Sequence, residues 1–213
     1  MINSADKQEL ILSQITGKCL QRPDFSGYDL SGIDLKAVDL SGVNLMGADL
    51  RGANLCGANL NSANLVNASL REANLSQATL CEANLMNADL TRANLCGAFL
   101  WQAKFSNSNL WGASLCDADL READLNEAKL IEASLIEANL LRANLAGAKL
   151  CGAILLEANL TAANLTGADL TWANLTEANL STANLSQTKL MYVKLRHTIM
   201  PDGTIEQPQI MIY

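Results

Sequence analysis

Residues 48–60 read Ala48-Asp49-Leu50-Arg51-Gly52-Ala53-Asn54-Leu55-Cys56-Gly57-Ala58-Asn59-Leu60, and their spacing decides the fold. A small residue, a carboxylate or amide, and a leucine return every five positions. Followed outward in both directions, the pattern holds from residue 25 to residue 195. Every fifth residue is Leu except Phe25 and Phe105, which makes 35 consecutive pentads without insertion or deletion. Ala stands two places before the leucine in 27 of these pentads, and Asp or Asn stands one place before it in 24. A period of five matches neither the 3.6-residue repeat of a helix nor the two-residue alternation of a strand. The chain must therefore turn a corner every five residues.

The 11 glycines of the tract, from Gly27 to Gly167, all fall two places after the leucine, and Asn67, Asn87 and Asn107 share that position. Gly and Asn tolerate a positive φ, which the third residue of a type II turn requires. The turn is thus expected between each Leu and the next Ala. If a pentad forms one side, four pentads close a square coil, and coils stack at about 4.8 Å. The tract then makes about nine coils, in a rod about 42 Å long. Leucines fill its middle, each contributing roughly 1.5–3 kcal/mol on burial. Only a small residue fits beside them where four sides converge, which explains Ala.

The A(D/N)LXX pattern, as in Ala48-Asp49-Leu50 and Ala163-Asn164-Leu165, resembles the pentapeptide-repeat family over residues 21–197. The resemblance implies an all-β, right-handed quadrilateral β-helix; the period and the inward pair come from the residues themselves, the fourfold closure and the hand from the family. It also implies a protein of cyanobacterial type, in a family most of whose members have no assigned biochemical role. Some members of the family imitate DNA and bind type II topoisomerases such as gyrase.

Composition narrows the function further. The chain has 22 acidic and 15 basic residues, a formal charge of −7, which disfavours direct binding to nucleic-acid phosphates. No apolar run approaches the length of a membrane span, and the start Met1-Ile2-Asn3-Ser4-Ala5-Asp6-Lys7 lacks a secretory pattern, so the expectation is a cytoplasmic protein. Its six cysteines are then expected as reduced thiols. The only histidine, His197, has no nucleophilic partner in the pattern, and no phosphate-binding loop or metal motif is present. No enzyme, cofactor or metal site is expected.

The ends depart from the pentad. Ser4 to Thr16 reads as a short amphipathic helix capping the first coil, within an N-terminal segment 1–20, with Gly17 as its stop. Tyr28, Ile33, Val38 and Val43 stand where later coils have Ala, and are expected to fill a wider first core. In the C-terminal segment 198–213, Met200-Pro201-Asp202-Gly203-Thr204 reads as a tight turn. Gln209 to Tyr213 is apolar enough for a strand that folds back over the last coil or pairs with a second chain, leaving monomer and homodimer both open.

Residues 20 apart should stack, so columns can be read along each side. Cys56, Ser76, Cys96, Cys116, Ile136 and Leu156 form one column, and Asp117, Glu137, Glu157 and Glu177 run beside it. An outward apolar ladder flanked by like charges is costly without screening or a partner, so this is the candidate interaction surface for a protein partner. Trp101 and Trp111 join it as candidate anchors, on opposite sides of the rod. Trp172 and Tyr192 are expected to stack on each other. Cys96 and Cys116 would lie near each other, with β-carbons farther apart than a relaxed disulfide prefers. The leading function is a protein-binding scaffold; a DNA-mimicking topoisomerase binder and a structural spacer are the alternatives. Lys104, Lys129, Lys149, Lys189 and Lys194 dilute the acidic surface that such mimicry needs.

Overall fold

In a computed structural model of the chain, residues 24–206 are described. The corner comes first. The Leu45 carbonyl accepts a hydrogen bond from Ala48 N–H at 3.0 Å, with Met46 and Gly47 between them. Gly47 has φ +66° and Met46 no positive φ, which is the type II arrangement. The same position is left-handed in all 35 pentads, 11 times at Gly and 24 times at other residues. Trp172 and Tyr192 hold it at φ 65° and 58°, a conformation bulky side chains seldom adopt. The closing of each coil imposes it.

Between corners the chain runs straight and pairs with the coils before and after it. Parallel bridges join residues 20 apart, from Asp24↔Asn44 to Asn179↔Ile199. Leu115 N–H donates to Ser134 O at 2.7 Å and Asp117 N–H to Ile136 O at 2.9 Å, while Ser134 N–H reaches back to Ala113 O at 2.9 Å. Four sides result, which we number by their leucines: side one carries Leu45, side two Leu50, side three Leu55 and side four Leu60. The pentad-centre leucines from Leu30 to Leu180 are at most 3% exposed, and the alanines two places before them, Ala48 to Ala178, at most 1%. They form one continuous core along the axis.

Outward Asn and Asp residues hydrogen-bond along the stack. Asn44 Nδ2 donates to Asp24 at 2.9 Å, Asn64 to Asn44 at 3.0 Å, and Asn164 to Asn144 at 3.1 Å. Each also accepts from the N–H two residues on, as Asp24 does from Ser26 at 2.9 Å. Their recurrence is structural. Among the described residues, one interior position is polar without a partner: Ser108, fully buried beside Phe105, has no hydrogen bond to Oγ. Thr188 and Thr198 occupy equivalent positions and donate to Leu165 O at 2.8 Å and Leu175 O at 2.6 Å.

The first coil differs from the expectation at one residue. Ile33 and Val43 are buried and Val38 is partly buried against the core, but Tyr28 is 47% exposed, its ring edge-on to Phe25 at 5.7 Å. A phenol is too long for the converging corner and its hydroxyl would be unpaired inside, so the ring turns outward. At the other end, the turn expected at Met200–Thr204 is present. Gly203 N–H bonds to Met200 O at 2.9 Å, Gly203 has φ +83°, and Ile199 pairs antiparallel with Ile205. This is a three-residue hairpin loop with its glycine in the left-handed position. The capping helix expected at 4–16 and the strand expected at 209–213 lie outside the described residues.

Candidate functional site

Side three brings the central column together in the expected register. Gln77 N–H bonds to Cys96 O at 3.0 Å, Gly97 N–H to Cys116 O at 2.8 Å, Asp117 N–H to Ile136 O at 2.9 Å, and Glu137 N–H to Leu156 O at 2.9 Å. Cys56, Ser76, Cys96, Cys116, Ile136 and Leu156 are all half-buried, with Asp117, Glu137, Glu157 and Glu177 exposed at the adjoining corner. These four acids take the left-handed turn conformation, with φ from 56° to 62°. The turn directs them away from the core. His197 ends the row, its Nδ1 3.9 Å from Glu177 Oε1.

Neither Trp101 nor Trp111 shares this side. Trp101 lies on side four, where Phe99 is 47% exposed; Trp111 lies on side two, 39% exposed, with the Arg92 guanidinium 5.4 Å from its ring. The two indoles therefore form no common surface with the column. Trp172 and Tyr192 stack as expected, centroids 4.2 Å apart and planes at 13°, and both are largely exposed.

The structure adds residues that the column arithmetic missed. Ile154, 39% exposed, stands on side three in the row otherwise filled by Asp34, Asn54, Asn74, Asn94, Ser114, Ser134, Asn174 and Lys194. The same row supplies hydroxyls to the sulfurs: Ser114 Oγ is 2.9 Å from Cys96 Sγ and 3.6 Å from Cys116 Sγ, and Ser134 Oγ is 3.2 Å from Cys116 Sγ. Two of these pairs are 18 residues apart, an offset legible in the sequence once the square coil is accepted. Burial pushes the Cys116 thiol up, but hydrogen bonds from Ser134, Ser114, Cys96 and the backbone outweigh it and hold the thiol below its ordinary range. Burial, then Asp169, pushes Cys151 up.

Cys56, Cys81, Cys96, Cys116 and Cys151 are free thiols. Among the described residues no group of three His, Cys, Asp or Glu side chains is placed to hold a metal ion, and no helix is long and apolar enough to cross a membrane. A shallow hollow lined by Glu82, Gln102, Lys104, Glu122 and Asp124 is crossed by a 2.9 Å hydrogen bond from Gln102 to Glu122. All five of its lining residues are polar or charged.

A five-residue corner, a 20-residue register and a Leu/Ala interior are now all observed. A family profile described as Pentapeptide repeats matches in 8 copies, in overlapping segments from 20–52 to 168–201. The chain belongs to the pentapeptide-repeat family. Its fold is accordingly the right-handed quadrilateral β-helix. Among solved structures, this pentapeptide-repeat chain is similar to HetL, a pentapeptide repeat protein involved in heterocyst differentiation regulation from the cyanobacterium Nostoc sp. strain PCC 7120. The identity is 34%, over 93% of this chain and 98% of HetL, with a TM-score of 0.65. It is also similar in fold to QnrB1, a plasmid-mediated fluoroquinolone resistance protein, at 18% identity over 82% of this chain and 90% of that one, with a TM-score of 0.67. A comparison with curated proteins returns no match. The interior leucines and alanines recur in any such rod, so identity at those positions says little about partners; the outward columns carry that information.

Proposed function

We propose that this pentapeptide-repeat chain is a non-enzymatic interaction rod, and that side three takes a protein partner bearing basic and apolar residues. One observation carries the reading: Ile136, Ile154 and Leu156 stand outward on a scaffold of polar ladders, beside the carboxylates of Asp117, Glu137, Glu157 and Glu177. Apolar surface rimmed by charge is a common form of protein-binding site. The acids repeat at the coil spacing of about 4.8 Å, and an α-helix advances about 5.4 Å per turn. A helix lying along the rod can therefore set one Lys or Arg against each acid over several coils, the mismatch being taken up by long side chains.

The involvement of HetL in heterocyst differentiation regulation is compatible with a rod that acts by contact, and the similarity over 93% of this chain and 98% of HetL supports that comparison. Mimicry of duplex DNA is less well supported. A rod about 42 Å long would face about 25 phosphate charges of duplex over that length. The whole chain nets −7. Several acids are also paired locally, as Asp119 is with Arg121 at 2.7 Å and Asp169 with Lys189 at 3.4 Å.

The test is site-specific photocrosslinking in the native host. A benzophenone amino acid placed at Ile136 is expected to trap one discrete partner, lost when Glu137, Glu157 and Glu177 are changed to Lys, while the same probe at Thr166 on side one traps nothing. Equal trapping from both sides, or survival of the product after charge reversal, overturns the assignment to side three.

A further inference from the structure

The described cysteines divide by what their sulfur meets. Cys81 and Cys151 direct S–H toward backbone carbonyls, Phe99 O at 3.9 Å and Asp169 O at 4.0 Å, contacts that keep the proton on sulfur. On side three the neighbours are hydroxyls instead. Ser76 Oγ donates to Cys56 Sγ at 3.4 Å, Ser114 Oγ lies between Cys96 and Cys116 at 2.9 and 3.6 Å, and Ser134 Oγ is 3.2 Å from Cys116. A hydroxyl can rotate its proton onto sulfur, so it stabilises the thiolate, the form that reacts. Cys116 meets two such hydroxyls and is half-buried rather than enclosed. The register sets Cys96 one coil away, linked to it through the shared Ser114.

We propose that Cys96 and Cys116 form an oxidant-reactive thiol pair whose substrate is a small hydroperoxide. The Cys116 thiolate attacks the outer peroxide oxygen. A sulfur–oxygen bond forms and the oxygen–oxygen bond breaks; sulfur loses two electrons to become a sulfenic acid, and the inner peroxide oxygen leaves as hydroxide from hydrogen peroxide, taking a proton to become water, or as alkoxide from an organic hydroperoxide, taking a proton to become an alcohol. The Cys96 thiol then attacks the Cys116 sulfur. A disulfide forms, and the sulfenic hydroxyl departs with the Cys96 proton as water. Neighbouring coils hold β-carbons about 4.8 Å apart, against about 3.8 Å in a relaxed disulfide. The second step therefore draws two coils together locally and yields a bond that thiol reductants readily reopen. The pair reacts whether or not side three takes a protein partner.

Full-length protein is exposed to hydrogen peroxide with dimedone present, and adducts are quantified by peptide mass spectrometry. Cys116 is expected to label about tenfold faster than Cys81 and Cys151 in the same molecules, in keeping with its greater thiolate character. Changing Ser114 and Ser134 together to Ala shifts the pH profile of Cys116 labelling upward while the circular dichroism of the rod is unchanged. In Cys96→Ser, the Cys116 sulfenic acid persists after peroxide is removed instead of decaying to a disulfide. Equal labelling of the three cysteines, or an unmoved pH profile in the serine variant, overturns the reactive site. An unchanged sulfenic lifetime in Cys96→Ser overturns the pairing.

Discussion

At the scale of single residues, the interior admits almost no polarity, and the exceptions show why. Thr188 and Thr198 sit where Ala is usual and return their hydroxyls to carbonyls of the preceding coil. Ser108 occupies the same kind of position in the middle of the rod, fully buried and without a partner for Oγ. A buried unpaired hydroxyl costs about 1–3 kcal/mol, and an Ala at the equivalent point of every neighbouring coil fits without strain. Ser108→Ala is therefore expected to raise stability by about 1 kcal/mol, measured as an increase in the urea midpoint with unchanged slope. A decrease would mean that the hydroxyl has a partner after all. The substitution was visible in the sequence as a break in the Ala column. Its lack of a hydrogen bond was not, because that depends on where the hydroxyl points inside the closed coil.

At the scale of the element, the pentad is the unit of folding and the coil is the unit of surface. All four sides carry the same inward pair, so one pentad can replace another without disturbing the core. Deleting residues 106–110 should leave the β-helix intact by circular dichroism, because Phe105 then leads directly into Trp111 with the five-residue phase preserved. Everything beyond the cut moves one side around the rod. Cys96 then stacks on Arg121 instead of Cys116, and a thiol-bridging reagent that joins Cys96 to Cys116 in the parent chain should no longer do so. Loss of the β-helix itself would show that the sides are not interchangeable. The phase was legible in the spacing of leucine, glycine and asparagine. The hydroxyl contacts of Cys96 and Cys116 required the offset between adjacent coils, which only the closed geometry supplies.

At the scale of the whole molecule, stability should depend on acidic pH in a direction set by the ladders. The Thr171 hydroxyl and N–H, with help from Cys151 and Lys189, hold the Asp169 carboxyl down to about 2 from an ordinary 3.8. Asp49 and Asp119 are lowered chiefly by Arg51 and Arg121. A depressed carboxyl stabilises the fold above its unfolded value and loses that contribution as pH falls through the folded one. The urea midpoint is expected to stay level from about pH 7 to 5 and to fall between about pH 4 and 2, less steeply in Asp169→Asn; an identical fall in that variant would remove Asp169 from the account. The sequence by itself determined the corner, the period, the inward leucines and the family, because each is a local requirement repeated in every pentad. The tertiary structure alone decided that Tyr28 turns outward, that the Ser108 hydroxyl finds no partner, and how closely the Ser114 and Ser134 hydroxyls approach Cys116. Those outcomes depend on side chains from different coils meeting across a surface, and such meetings exist only after the chain has wound back over itself.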